Sequence, residues 1–462
     1  MATVSATRNQ CLWSMPQFQP PSSAPSPPHV NMLSLISSRL RGSSRLTVAI
    51  LSHAVVDFFS FIIIPLLSVI EGRVDLTTWQ GTMLVAVGSI SSGMIQPIVA
   101  LLSDRHDTRF FGTLGFVAAV LAIGSVGFAT TFPALLIIQI IGSAGIGAFH
   151  PVAAAAVGQL SGNRRLSGLA WFYAAGMIGG VAGNLFTPQW VRHFSMAEQG
   201  GTPVLDTAAG LRSLAWYIIP GLICAGLLAM AIHSVPHRHA TARSDHALLS
   251  RTEQFARWRS IWLLYFGNIL RFTVDMCLIT LIVRWSELMA VGDPAAYLPG
   301  VEVVSRLTPE LRSEASRLNG LLQAARQVGM GVGGLAILIL LRGRFERAML
   351  VAVPLVGAVV VVITPHAAAL GLGLWPVVVL CVVAGLGYGG VIPTTLSIAQ
   401  RLLPHRTSLA SALMMGGAWA FASVGPHLAQ MLFENFGLNQ AFAIVGLLLG
   451  ASGLLGLLLR TP

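Results

Sequence analysis

The sequence predicts an all-α integral membrane protein, with twelve transmembrane helices in two pseudo-symmetric six-helix bundles. Three observations carry this expectation. The 462 residues are 54% hydrophobic and 10% charged, whereas a soluble domain carries about 25% charged residues. Apolar runs of the roughly 20 residues needed to cross hydrocarbon follow one another from Leu46 to Leu459, with short charged breaks between them. Short motifs also recur between the first and second halves.

Taken in chain order, residues 1–45 hold no apolar core long enough for a signal peptide, and Gln17–Pro28 is rich in Pro, Ser and Gln. This segment reads as a disordered cytoplasmic tail. Apolar length then sets six spans at roughly 46–70, 79–102, 110–130, 133–159, 167–190 and 212–235, which make residues 46–235 the first bundle. A basic, polar linker occupies 236–259. Six more spans follow at roughly 260–284, 318–341, 348–365, 370–399, 407–432 and 438–459, and residues 260–462 form the second bundle. Gly145-x-Gly147 is matched 240 positions on by Gly385-x-Gly387, and Leu169-Ala170 and Gly176 by Leu409-Ala410 and Gly416. Asp57 and Asp275 correspond at a shift of 218, the longer loop after the seventh span accounting for the difference. An ancestral six-helix repeat explains these matches, and such paired halves are a common transporter plan.

The formal net charge is +11, and every cationic residue is Arg. With the tail inside, nineteen arginines fall in cytoplasmic segments and seven in outer loops, Arg73, Arg284 and Arg312 among the latter. This bias puts both termini in the cytoplasm. The arginines are scattered among short loops and not gathered on one face, which argues against nucleic acid as a partner. Cys11, Cys224, Cys277 and Cys381 show no CxxC spacing. Free thiols are expected, with no disulfide, metal site or cofactor.

Of the 17 acidic residues, only Asp57 and Asp275 fall within the spans. A carboxylate in hydrocarbon faces a cavity, pairs, or takes up a proton. His53 precedes Asp57 by four residues and Arg271 precedes Asp275 by four, so each pair shares a helix face. Two readings are open. The pairs either orient helices as buried ion pairs, or His53 and Asp57 form a protonation site, since histidine titrates near neutrality. Arginine does not usefully release its proton, so Arg271 with Asp275 reads as a fixed pair or a substrate clamp. Gln323-x-x-Arg326-Gln327 puts three hydrogen-bonding side chains on about one helical turn. Arg326 with Arg271 suits an anion, a helix-packing network being the other reading. In the fourth span Gly142, Gly145 and Gly147 permit close helix approach ahead of Phe149-His150-Pro151. His150 either lines a cavity or satisfies backbone freed by Pro151. His366 and His427 read as structural or interfacial.

Ser103-Asp104-Arg105-His106-Asp107-Thr108-Arg109, after the second span, resembles the Gly-x-x-x-Asp-Arg-x-Gly-Arg-Arg loop motif of the major facilitator superfamily. Ala100 and Asp107 replace its glycines and Thr108 one arginine. Asp104, Arg105 and Arg109 would form the cytoplasmic gate motif, capping and locking neighbouring helices. The second-half copy keeps Arg344-Phe345-Glu346-Arg347, with Gly343 where the Asp belongs. Within the superfamily the chain is similar to the fosmidomycin-resistance family over 46–460, through Leu51-Ser52-His53-x-x-x-Asp57, Phe149-His150-Pro151 and Ala399-Gln400-x-Leu402-x-Pro404. Gly176-x-x-Gly179-Gly180-x-x-Gly183 resembles the glycine-rich fifth-helix motif of antiporters, with Asn184 at its Pro position.

The resemblance implies a proton-coupled exporter of small molecules in a bacterial inner membrane, its partners being a small-molecule substrate, protons and the bilayer. Fosmidomycin is a phosphonate, and Arg271 and Arg326 would suit such an anion. On this reading His53 and Asp57 couple to protons, and Arg271, Asp275, Gln323, Arg326 and His150 shape the substrate cavity of a monomer. An uncoupled or importing metabolite carrier of the same fold is the second reading. A membrane enzyme or sensor is the third. It lacks an HExxH, GxSxG or P-loop signature, and segments 1–45, 236–259 and 285–317 are too short for an independent domain.

Overall fold

The computed structural model describes residues 42–103, 109–199, 202–233, 235, 251–292, 307–341, 345–370, 373–403 and 407–459. The first span is two helices, α1 (Gly42–Ser60) and α2 (Leu67–Val74), interrupted at 61–66. Pro65 has no N–H to continue the helical ladder, so carbonyls around the break need partners from elsewhere. Then come α3 (Thr78–Ser103), α4 (Arg109–Gly124), α5 (Phe132–Leu160) and α6 (Arg165–Ser195). The Thr131 hydroxyl accepts from the Ala134 N–H to cap α5, with Pro133 in the first turn, an arrangement that satisfies free N–H groups and fixes φ for the helix start. An antiparallel ribbon that the sequence does not signal, β1 (Met196–Gln199) with β2 (Thr202–Leu205), leads into α7 (Thr207–Arg212) and α8 (Ile218–Ile232).

The second half contains α9 (Arg251–Val291), α10 (Pro309–Leu341), α11 (Glu346–Ala369), α12 (Leu374–Gly389), α13 (Ile392–Leu402), α14 (Thr407–Ala412), α15 (Ala418–Ala422) and α16 (Gly425–Leu455). Nine helical stretches among the described residues are long and apolar enough to cross a membrane. One of these, Ala410–Leu458, contains Gly437 at φ 80°, where the chain leaves helical geometry between two passes. The interrupted α1–α2 pair and the more polar α10 add passes that apolarity alone does not mark, which is consistent with twelve. Side chains such as Leu114, Ile137, Trp171, Phe186, Trp216 and Leu447 stand exposed on the outer surface, as expected where lipid is the solvent.

Some expected boundaries move. Helix α9 starts at Arg251, so residues 251–259 are helical, and α10 starts at Pro309 instead of 318. The tail up to residue 41 and linker residues 236–250 lie outside the described residues. Cys224, Cys277 and Cys381 are free thiols.

The repeated glycines sit at helix crossings. A Cβ on Gly145 would fall 2.3 Å from the Gly115 carbonyl of α4, and one on Gly147 would fall 2.5 Å from the Ser92 carbonyl of α3. In the second half, a Cβ on Gly387 would lie 2.4 Å from Gly357 Cα of α11, and one on Gly385 would lie 2.0 Å from the Arg326 carbonyl of α10. Both motifs let a fourth helix touch the second and third helices of its half, although the two glycines exchange partners. Gly145→Val therefore forces α4 and α5 apart. It should cost about 1–3 kcal/mol, read as earlier thermal unfolding of the solubilised protein, and an unchanged transition would contradict the close crossing.

Gly176 and Gly416, matched in sequence, do different jobs. Gly176 packs on α1, whereas a π-helical turn at Leu413–Gly417 presents Gly416 to α3, where a Cβ would sit 2.8 Å from the Gly93 carbonyl. The halves meet along two seams, α3 against α14–α15 and α6 against α10.

Candidate functional site

A cavity lies between these seams, with about 220 Å³ open to the centres of water molecules. The first half lines it with α1, α3, α5 and α6, and the second with α9, α10, α13 and the Leu413–Gly417 turn to α15. Its wall is largely apolar, with Phe61, Phe272, Trp419, Met177, Met276, Met330 and Met415. Ser89, Ser143, Gln96, Gln139, Tyr173 and Gln327 add hydrogen-bonding groups.

Asp57 sits in the first-half wall between two imidazoles. His53 Nε2 lies 3.4 Å from its Oδ2, and His150 Nε2 lies 3.2 Å from its Oδ1. His53 and Asp57 are buried and one turn apart on α1, while the His150 side chain is 28% exposed and lines the cavity. Each ring is anchored by its other nitrogen. His53 Nδ1 lies 2.7 Å from the Phe172 carbonyl and His150 Nδ1 lies 2.7 Å from the Ile146 carbonyl. A carbonyl only accepts, so each Nδ1 carries a hydrogen. A neutral ring therefore turns a bare lone pair at Nε2 toward the carboxylate. Two acceptors facing each other repel, and an added proton turns either contact into a hydrogen bond.

His53 also stacks on Phe172, ring centroids 3.9 Å apart, and meets His150 edge-on at 5.0 Å. The two sequence readings of His150 both hold in part. It reaches the cavity and bonds backbone, but at Ile146 and not at Gly147, whose carbonyl Pro151 frees. The three donor atoms lie within 4.8 Å of one another, a spacing that would also admit a metal ion.

The glycine-rich motif of α6 makes room for this cluster. A Cβ on Gly176 would fall 2.4 Å from His53 Cε1 and 2.6 Å from Asp57 Oδ2, and one on Gly179 would fall 2.0 Å from the Ala54 carbonyl. Gly176→Ala should displace the His53–Asp57 contact and lower transport more than it lowers the unfolding temperature. Normal transport by a folded Gly176→Ala protein would contradict this packing.

Across the cavity, Asp275 also lines the wall, but its partner is not the one its spacing suggests. Arg326 of α10 pairs with Asp275 and donates to Tyr388 Oη at 2.9 Å and to Gln323 Oε1 at 3.0 Å. Gln323 and Arg326 are buried behind the wall, not on it, and Gln327 is the residue of that motif that reaches the cavity. Arg271 is outside the cavity altogether. It donates to Asn268 Oδ1 and to the Ser452 carbonyl. Shared helix face allows an Arg–Asp pair at four residues, but a closer cross-helix guanidinium takes the carboxylate here.

A second charged cluster escapes the sequence reading, which puts Glu71, Arg284 and Glu287 in outer loops. All three are buried within helices. Arg284 donates to Glu71 Oε1 at 2.7 Å, to Glu287 Oε2 at 2.9 Å and to Gln430 Oε1 at 3.0 Å. Glu71 belongs to the first half and the others to the second, so this cluster ties the halves together. Beside it, α10 serves the α1–α2 break. Asn319 Nδ2 donates to the Ile64 carbonyl at 2.9 Å, Ser316 Oγ to Pro65 at 2.7 Å and Arg312 Nη1 to Ser68 at 3.0 Å. The helical spacing Arg284-x-x-Glu287, continuing the apolar face of the seventh span, is the sequence signal for part of it.

Of the cytoplasmic gate motif, Asp104, Arg105 and the Arg109 side chain lie outside the described residues. In the second-half copy Glu346 accepts from Arg401 Nη1 at 2.9 Å, bridging α11 and α13.

Paired helical halves around a central cavity, with buried ionisable side chains on both walls, define a membrane transporter. The chain belongs to the Major Facilitator Superfamily, whose family model matches residues 49–286, and it is accordingly a multi-pass transporter and not an enzyme. It is 20% identical over 401 residues to the fosmidomycin resistance protein of Escherichia coli (strain K12), covering 86% of this chain and 88% of that one. Its fold is similar to crystal structures of a bacterial homolog of the human lysosomal transporter Spinster. The inward-facing, unoccupied form has a TM-score of 0.62 and 16% identity, covering 90% of this chain and 95% of the other. The inward-facing, occupied form has a TM-score of 0.64 at the same identity, covering 91% and 97%.

Proposed function

We propose that the chain is a proton-coupled exporter of small, largely apolar molecules, working by alternating access around the central cavity. The observation that carries this reading is the pair of imidazoles, each locked with its hydrogen at Nδ1, that turn Nε2 toward Asp57 at the cavity wall. Asp57 with His53 and His150 takes a proton from the outer side, and its release inside resets the cycle. The likeness to the fosmidomycin resistance protein supports export, and the arginine bias supports a bacterial inner membrane with both termini cytoplasmic. A monomer suffices, since both cavity walls come from one chain.

The cargo follows from the lining. A phosphonate needs cationic donors, and the buried arginines Arg271, Arg284 and Arg326 do not line the cavity. Asp57 and Asp275 do, each already partnered, so an anion would meet His150 alone. Four methionines and the rings of Phe61, Phe272 and Trp419 form an adaptable apolar surface, and the serines and glutamines bind polar edges. The favoured cargo is an aromatic, uncharged or weakly basic amphiphile.

Proteoliposomes with an imposed pH gradient, supplied with a panel of aromatic amphiphiles and phosphonates, test this. Gradient-driven movement of the amphiphiles supports it. Movement that ignores the gradient would favour an uncoupled carrier, and a preference for phosphonates would overturn the cargo class.

A further inference from the structure

Arg271 is a buried cation that the transport cavity does not use. It is 3% exposed and lies where α9, α11 and α16 meet. Its two hydrogen-bond acceptors, Asn268 Oδ1 at 3.0 Å and the Ser452 carbonyl at 3.3 Å, are both neutral. Asn268 is held in this orientation because its Nδ2 donates to Thr395 Oγ1 and to the Met414 carbonyl. The Arg271 Nε has no partner among the described residues, and no described carboxylate pairs with the guanidinium.

Arginine keeps its proton, and a buried charge without a counter-charge is strongly disfavoured. Ser452 lies in the last turn of α16, where the helix terminus carries about half a negative charge. That offsets part of the guanidinium and leaves a positive remainder. Beside it is a small pocket walled by Leu263, Gly267, Leu350 and Leu455, with about 10 Å³ open to the centre of a water molecule. That is room for one guest of about the size of water. It is too small for a phosphate-bearing lipid headgroup.

We propose that this pocket holds a monatomic anion of the chloride class as the counter-ion of Arg271, at a site separate from the transport cavity. The anion sits against Arg271 in this pocket and completes the charge balance between α9, α11 and α16. Gly267, one turn before Arg271, keeps the space open. A Cβ there would only touch the guanidinium, at 3.5 Å from Nη1, whereas the branched methyls of a valine would fill the pocket.

The test is thermal unfolding of the purified protein in sodium chloride, bromide or gluconate at equal ionic strength, with a bromide anomalous-difference map of the crystallised protein. Chloride and bromide should raise the unfolding temperature saturably over gluconate, by about 2 °C at ten times Kd. The rise should vanish in Arg271→Gln and in Gly267→Val, and a bromide peak should lie in the pocket beside Arg271. If either variant fails to fold, the wild-type salt series and the map decide. Equal unfolding of the wild type in all three salts with no bromide peak would overturn the proposal. So would a halide response that survives in both variants, or an anionic lipid that co-purifies at Arg271 without any halide response.

Discussion

Asp57→Asn is expected to reduce gradient-driven export to the background of empty liposomes while leaving the protein folded. The amide is isosteric with the carboxylate and cannot exchange a proton near neutrality. Its Nδ2 can donate to one of the two Nε2 lone pairs that face this position at 3.2 and 3.4 Å, so the histidines remain supported and packing on Gly176 is kept. The contrast with His150→Gln is informative. That change removes one proton acceptor but leaves the His53–Asp57 contact, so transport should weaken and its pH dependence should shift instead of vanishing. Uphill export by Asp57→Asn at the wild-type rate would remove Asp57 from the coupling mechanism.

Arg284→Met should have the largest effect on stability. The guanidinium is the shared partner of Glu71 and Glu287, and all three side chains are buried. Removing it leaves two carboxylates facing each other without a cation. Breaking a buried pair from one side costs about 3–5 kcal/mol. The cost falls on the contact between the two halves, so that junction should loosen. A cysteine introduced at Ser68, which is 2% exposed and adjoins this junction, should become reactive to a membrane-impermeant thiol reagent in the Arg284→Met background. Adding Glu71→Gln and Glu287→Gln should recover most of the lost stability by removing the stranded charges. An unfolding temperature and Ser68→Cys reactivity that match the Arg284-containing protein would contradict a latch at this position.

What could be read from the sequence divides along physical lines. Apolar length reports the helices, because the bilayer fixes how long a span must be. His53 and Asp57 were legible as a pair because four residues on one helix is a local distance. His150 joins them from another helix, and its Phe-His-Pro setting marked it as a cavity candidate without naming its partner. Asp275 shows the limit of the local rule. Arg271 satisfies the same four-residue spacing, yet Arg326, 51 residues away on α10, captures the carboxylate. Only the packing of α9 on α10 decides between them. The Glu71–Arg284–Glu287 cluster was hidden for the opposite reason. Charges lower hydropathy, so residues that pair inside the bundle read as loop. The glycine matches located close crossings correctly, but the partners of each glycine depend on register, and the π-helical turn at Leu413–Gly417 sends Gly416 to the seam between halves.

The central claim is that export is coupled to protons through Asp57, and if cargo loading on the inside displaces that proton, the most direct measurement is proton release on cargo binding. Purified protein in weakly buffered solution, titrated with an exported aromatic amphiphile, should release protons as the cargo binds, detected with a pH-indicator dye. Asp57→Asn should bind the same compound and release none. Cargo binding to the wild type without proton release, or equal release from Asp57→Asn, would contradict the account.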